Sequence, residues 1–152
     1  MTSCGPNGGP LAGRGEYPAY IACNLFCNDE AIYVAANAYM DNRYPKVTQD
    51  GKDGDEEPGY VANMMQGAVA GFKYFDCRGV RKVGIKVRGY CRGDFELRTS
   101  WNGPALGRIG IPGFTNEWKE HSADIAIPDG VQALYFAFVG EGNASLASFT
   151  LE

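Results

Sequence analysis

The chain has 152 residues, including 21 glycines and 8 prolines, and a formal net charge of −4. This length fits one domain of ordinary size, and the acidic balance leaves no basic field to hold a nucleic acid backbone. No apolar run reaches the length of a membrane span, and a single histidine completes no common zinc-ligand spacing.

The first 29 residues are predicted to form a separate segment. They begin with a Gly-, Pro- and Asn-rich stretch that is too polar to pack. Residues 19–26, which follow, are predicted to form one strand. From residue 30 the pattern becomes regular. The sequence therefore predicts a tail or linker over 1–29 and one domain over 30–152.

Short apolar runs between Gly, Asn and Asp turns predict an all-β sandwich of antiparallel strands. Val83, Ile85 and Val87 alternate with polar residues, so this strand should bury one face. Both faces of 132–139 are apolar, which favours a central strand. The predicted strands of the domain are 31–36, 60–65, 69–76, 80–88, 94–100, 105–111, 118–127, 132–139 and 145–152.

An acidic stretch over 50–57 raises the question of calcium. It lacks the ligand ladder of a helix–loop–helix calcium site, since Val61 stands where the closing glutamate would fall relative to Asp50. A solvated loop is therefore favoured over a metal site.

Strand reversals suggest where a ligand would bind. If consecutive strands are antiparallel, every second loop lies at the same end of the sandwich. This count places Trp118 with Asn143, Tyr90 and the corner over 63–67, and places Trp101 at the opposite end. An aromatic ring beside amide side chains suits a sugar, which has an apolar face and a rim of hydroxyls. The alternative is that Trp118 opens a strand and folds into the core.

Catalysis is less well supported by the sequence. Glycoside hydrolysis needs two carboxylates that face each other across the bond, whereas Asp94, Glu117 and Glu141 are spread over three loops. His121 is a lone imidazole and is expected to be structural. We therefore expect a binding protein and not an enzyme.

Residues 71–89 and 116–152, together with the order of strands, resemble the family 6 carbohydrate-binding modules. The resemblance implies a β-jelly roll that binds xylan or xylo-oligosaccharides without catalysis. Such a module targets an attached glycoside hydrolase to plant cell-wall polysaccharide. The alternative is a structural or dimerisation domain of a hemicellulase, with no sugar binding of its own and Trp118 buried in an interface.

The resemblance also assigns roles to individual residues. Trp118 matches one aromatic wall of the family's site, and Asn143 matches the amide that binds sugar hydroxyls. Gln49 and Asp50 fall near a polar ligand position of the first loop. Asn63 stands where the family often has its second aromatic wall, so the site is either open or closed by Tyr60 or Tyr90.

Two further expectations follow from the resemblance. The acidic positions that usually hold the family's structural calcium read Ala35, Asn37 and Ser145 here. A structural calcium would therefore rest on backbone carbonyls and neutral side chains and bind weakly, and no cofactor is expected to be required. Residues 1–26 look like the end of a family 43 glycoside hydrolase catalytic domain, which implies that catalytic domain as a partner in the parent enzyme. The cellular compartment stays open, with a secreted or periplasmic bacterial enzyme favoured.

Overall fold

The structure is a computed structural model that describes residues 8–27, 44–52 and 58–152. The regular secondary structure of its described part is almost entirely strand, with a 3-10 turn at Ala19–Ile21. The strands are β1 (Leu11–Ala12), β2 (Gly15–Pro18), β3 (Asn24–Phe26), β4 (Lys46–Thr48), β5 (Tyr60–Met64), β6 (Val69–Cys77), β7 (Lys82–Arg98), β8 (Gly107–Ile111), β9 (Thr115–Asp124) and β10 (Gly130–Leu151).

Two long strands, β7 and β10, organise the fold. They pair antiparallel over their whole shared length, from Tyr135 opposite Arg98 to Leu151 opposite Val83. Residues 82–89 of β7 pair with β9, and residues 93–97 pair with β8. The first half of β10 pairs with β6, and its second half pairs with β5 and then β2. The hydrogen-bonded sheet therefore curls, and the predicted all-β sandwich is confirmed.

We name the two halves of this curled sheet by their strands. The front half comprises residues 82–89 of β7 and 144–151 of β10, with β2, β4, β5 and β9. The back half comprises residues 93–98 of β7 and 130–140 of β10, with β1, β3, β6 and β8.

Both halves contribute to one hydrophobic core, because alternate residues of β7 and β10 point inward in each half. A bulge between Leu146 and Ser148 shifts this alternation near the end of β10. The largest fully buried side chains are Phe72, Phe75, Phe95, Phe136, Phe138, Phe149, Met64, Ile85, Leu97, Ile109, Ile125 and Ile127.

The prediction of separate strands over 80–88 and 94–100, and over 132–139 and 145–152, was wrong. The glycines between them bend continuous strands instead of forming loops. Gly142 has a φ of +84°, and a side chain there would overlap the carbonyl oxygen of Tyr90 on the partner strand. Glycine is needed because the two backbones approach closely at the bend.

The N-terminal segment packs against the fold, contrary to the expectation that its first part is too polar. Ala19 is buried, and the Tyr17 ring lies 5.1 Å from Phe75 and 5.8 Å from Phe149 between centroids. The predicted strand over 19–26 is instead the 3-10 turn followed by β3. Whether 1–29 derives from a preceding domain stays a prediction, and the predicted strand over 31–36 lies outside the described residues.

Candidate functional site

Trp118 forms an aromatic cluster on the outer face of the front half. It lies on β9, half-buried, and its ring centroid is 5.2 Å from that of Tyr60 at the start of β5, with an angle of 68° between the planes. A sugar stacked between two rings needs about 3.5 to 4 Å on each side. The two rings therefore stand too close to hold a sugar between them, and a cavity beside them is the available space.

Arg88 occupies the space next to both rings. Its guanidinium carbon lies 4.3 Å from the Trp118 centroid and 5.2 Å from the Tyr60 centroid. A cation at these distances is attracted by the electron-rich face of a ring. The sequence predicted that this side of the site is either open or closed by Tyr60 or Tyr90. Tyr60 stands edge-on to Trp118, and Arg88 covers part of the Trp118 ring.

Asp50 fixes Arg88 in this position. Two guanidinium nitrogens of Arg88 donate to its carboxylate oxygens at 2.9 and 3.0 Å, and the Tyr60 hydroxyl donates to Oδ1 at 3.0 Å. The hydrogen bond from Arg88, followed by that from Tyr60, lowers the pKa of Asp50 below its usual value. Burial, followed by the bond to Asp50, raises the pKa of Tyr60. The structure therefore places Asp50 in a positioning role for Arg88.

A cavity of about 350 Å³ opens beside the cluster. Apolar side chains of Pro18, Pro58, Tyr60 and Trp118 line it, and its polar lining residues include Glu16, Lys86 and Ser148. The Ser148 hydroxyl donates to Glu16 at 2.8 Å. Apolar walls with a few polar groups are typical of small-ligand sites. Glu16 and Pro18 come from the N-terminal segment, which the sequence had assigned to a different unit.

An amide pair lies further along the same strands. Asn143 donates from Nδ2 to Oδ1 of Asn63 at 3.0 Å, and Asn63 donates from its own Nδ2 to the Tyr44 carbonyl at 3.3 Å. The side chain of Asn63 is therefore engaged at both ends. Among the described residues, no group donates a hydrogen bond to Oδ1 of Asn143, so Asn143 can offer this oxygen as an acceptor to a ligand while Asn63 holds its orientation.

Tyr90, the cross-strand neighbour of Asn143, forms a pair of exposed aromatic rings with Phe114. Tyr90 is opposite Asn143 in the register of β7 and β10, and its ring lies 5.9 Å from Phe114 between centroids. Tyr90 is 64% exposed and Phe114 is 69% exposed. The sequence reasoning missed Phe114, although a phenylalanine directly after Gly113 in a short strand connection was the available signal.

The predicted site residues thus fall into two groups. Trp118, Tyr60 and Asp50 form one cluster with Arg88, while Asn143, Asn63 and Tyr90 form another with Phe114. Gln49 joins neither contact network in the described part of the chain, because its Nε2 donates to the Lys52 carbonyl at 2.8 Å within its own loop.

The position predicted for Trp101 was wrong. It shares a hollow of about 230 Å³ with Gln66 and Gly67, the corner from which it was expected to be remote. Its ring packs 4.0 Å from Phe26 and 6.4 Å from Tyr135, on the outer face of the back half. The connection from β7 to β8 folds back over β10, and counting strand reversals cannot detect such a fold-back.

His121 takes part in neither cluster. It lies on β9 and lines a different hollow with Lys82 and Glu120. Burial, followed by the charge of Lys119, lowers the pKa of the His121 imidazole.

Among the described residues, no three His, Cys, Asp or Glu side chains are grouped to hold a metal ion. No helix in this part of the chain is long and apolar enough to cross a membrane.

Comparison with known proteins relates the chain to polysaccharide-degrading enzymes. No protein-family model matches the sequence. The chain is 65% identical over 152 residues to a xylosidase/arabinosidase of Thermoclostridium stercorarium, and the match covers 99% of this chain and 32% of that protein. The chain thus spans about a third of the length of that relative.

Solved structures share the fold. A family 6 carbohydrate-binding module of Clostridium stercorarium, in complex with cellobiose, has a TM-score of 0.72 and 17% identity, covering 95% of this chain and 98% of that one. A family 6 module of Clostridium cellulolyticum, in complex with xylose, has a TM-score of 0.68 and 16% identity, covering 93% and 99%.

A family 43 arabinoxylan arabinofuranohydrolase of Bacillus subtilis, in complex with cellotetraose, has a TM-score of 0.67 and 15% identity. The match covers 98% of this chain and 32% of that one. The resemblance to family 6 modules is therefore confirmed for the fold, and the similarity to part of a larger enzyme is confirmed by the xylosidase/arabinosidase.

Proposed function

We propose that this chain is a non-catalytic carbohydrate-binding module that holds xylan or xylo-oligosaccharides. The observation that carries the proposal is the cavity that Trp118 and Tyr60 share with Lys86, Glu16 and Ser148. An apolar sugar face can pack on the aromatic wall, and the polar residues can bind hydroxyls. The similarity to xylose- and cellobiose-bound modules supports a sugar ligand.

The role in the parent enzyme follows from the size of the match. Since the chain spans about a third of a xylosidase/arabinosidase, we place it beside a catalytic domain that it directs to plant cell-wall polysaccharide. Xylan is favoured over other polysaccharides because that relative is a xylosidase/arabinosidase.

The test uses the two tryptophans of the chain. Trp101→Phe leaves Trp118 as the only indole, so a change in its fluorescence on titration with xylotetraose reports binding at the cavity. Trp118→Phe leaves only Trp101 and should abolish that change. Calorimetry on both variants gives the affinities. A fluorescence change that survives in Trp118→Phe, or no heat of binding to any xylo-oligosaccharide, would contradict the proposal.

A second candidate function rests on the opposite face. Phe26 and Trp101 are both exposed on the back half, and their rings contact each other with centroids 4.0 Å apart and planes at 60°. Exposed aromatic patches often mark protein contacts, and a structural or dimerisation role in the parent would use this face. Sedimentation of the chain and of Trp101→Ala tests it, since self-association that Trp101→Ala abolishes would support this role.

We further propose that no cofactor is required. Asp50 is already bound to Arg88, and Ser145 replaces an acidic calcium ligand of the family resemblance; Ala35 and Asn37, at the other such positions, lie outside the described residues. A calcium ion at 100 times its dissociation constant would stabilise the fold by about 2.7 kcal/mol. Without a required ion, the melting temperatures with and without EDTA should agree. A fall of several degrees on adding EDTA would identify a required ion.

A further inference from the structure

Residues 11–26 pass from one half of the sheet to the other and back, and we call them the N-terminal strap. β1 pairs with β6 of the back half, β2 pairs with the end of β10 in the front half, and β3 pairs with β6 again. Because its backbone hydrogen bonds are made on both halves, the N-terminal strap has a defined position on the fold.

Two close contacts anchor the N-terminal strap. The Tyr17 ring packs against Phe75 and Phe149 in the core. Gly13 donates from its backbone N–H to the Asp76 carbonyl at 3.0 Å, and a side chain at Gly13 would overlap that carbonyl oxygen. The strap therefore packs as an integral part of the fold and not as a loose linker.

The anchoring of Tyr17 also places its two neighbours in the Trp118 cavity. Side chains alternate between the two faces of a strand. Since Tyr17 points into the core, Glu16 and Pro18 point outward, and both line the cavity. The pairing of β2 with β10 thus supplies part of the cavity wall.

The Glu16 carboxylate is oriented and has acceptor capacity left. The hydroxyl of Ser148, a buried residue, donates to Oε1 of Glu16 at 2.8 Å. An ionised carboxylate has about four acceptor positions, and none of the ion pairs between described residues includes Glu16. Lys86 lines the same cavity and brings donors. The cavity therefore presents a charged acceptor and a charged donor beside its aromatic wall.

We infer that the N-terminal strap is a functional part of the sugar site, and that Glu16 on it is a specificity-determining residue that accepts hydrogen bonds from ligand hydroxyls. The inference rests on the proposed sugar-binding function and adds a ligand-binding residue from outside the predicted domain over 30–152. A ligand that contacts Glu16 and Pro18 binds only the docked strap, so ligand binding and strap docking stabilise each other.

Calorimetric titration with xylotetraose tests Glu16. Glu16→Gln keeps an oxygen that can accept from Ser148 and removes the negative charge. Because a hydrogen bond to a charged acceptor is roughly twice as strong as one to a neutral acceptor, the affinity should fall by about 5- to 10-fold with the melting temperature unchanged. Glu120→Gln is the matched control, since Glu120 is an exposed carboxylate of the front half that lines a different hollow. It should bind like wild type.

Limited proteolysis with trypsin tests the strap. Arg14 is exposed, lies between β1 and β2, and is the only lysine or arginine in residues 1–42. When cleavage is slow relative to reclosing, its rate follows the fraction of molecules in which the strap is open. Xylotetraose at about ten times its dissociation constant should slow the release of the fragment that begins at Gly15 by about 10-fold. Cleavage at the exposed Arg78, between β6 and β7, is the control and should be unaffected.

The outcomes separate the inference from the proposed function. If wild type does not bind xylotetraose, the proposed function fails and the inference fails with it. If wild type binds and Trp118→Ala does not, the proposed function stands. In that case the inference is overturned if Glu16→Gln binds like wild type, or if it loses affinity only together with an equal loss of unfolding free energy. Equal slowing of cleavage at Arg14 and Arg78, or no slowing at Arg14, would also overturn it.

Discussion

Replacing Trp118 with alanine tests both the stability and the function of the aromatic cluster. The substitution removes the ring contact with Tyr60 at 5.2 Å and the contact with Arg88 at 4.3 Å. Together these contacts contribute roughly 1 to 2.5 kcal/mol. For a domain of this size we expect a fall in melting temperature of about 2 to 10 °C, with the fold intact.

The same substitution should weaken sugar binding much more visibly. Removing a ring on which a planar ligand stacks costs about 1 to 3 kcal/mol, and we expect a similar loss for a sugar at the Trp118 cavity. Calorimetric titration with xylotetraose at a temperature well below the melting transition measures this loss without interference from unfolding.

Trp101→Ala is the matched control, because Trp101 also contacts two rings, Phe26 at 4.0 Å and Tyr135 at 6.4 Å. It should lower the melting temperature to a similar extent and leave sugar affinity unchanged. Equal losses of affinity in both variants would show that the ligand does not depend on the Trp118 cavity. A collapse of the fold in Trp118→Ala alone would show that this ring is a core residue.

Other substitutions test the remaining contacts. Asn143→Ala should reduce sugar affinity by about 1 to 3 kcal/mol, measured by calorimetry, because hydroxyls at the site lose a partner. Asn63 has a φ of +63°, a left-handed conformation that glycine adopts more easily than alanine. Asn63→Gly should therefore have a free energy of unfolding about 1 kcal/mol higher than Asn63→Ala, measured by thermal melting. The folded pKa of Asp50 lies below its unfolded value of about 3.9, so its contribution to stability is present above that value and is lost as pH falls through the folded pKa. The difference in melting temperature between wild type and Asp50→Asn should therefore be present at pH 7 and shrink below about pH 4.

The fold class could be predicted from the sequence because the alternation of buried and exposed residues along a strand is a local pattern. Alternation over 82–88 correctly separated the buried Val83, Ile85 and Val87 from the outward residues. It could not distinguish a bend from a turn at Gly89 or Gly142, since glycine serves both. The distinction depends on the backbone of a strand more than 50 positions away, where a side chain at Gly89 would overlap the Asn143 carbonyl.

Prediction of the site was limited for a related reason. Trp118, Tyr60 and Asp50 were each named from the sequence, but their mutual contacts depend on β9, β5 and the loop after β4, which come from distant parts of the chain. Glu16 and Pro18 were missed because composition made the N-terminal segment look like a linker. Their contribution to the cavity arises only when β2 pairs with the end of β10.

Arg88 shows how topology can give a role to a residue that has no local signature. In the sequence it is the last polar residue of an alternating strand, where a solvated surface position is the ordinary interpretation. In the fold it lies between the cavity and the Tyr90–Phe114 pair, and Asp50 binds it through both carboxylate oxygens. An exposed ion pair contributes little to stability, so the value of this one lies in holding Arg88 still. At pH 7, Asp50→Asn should therefore change the free energy of sugar binding more than the free energy of unfolding. A purely structural ion pair would give the reverse.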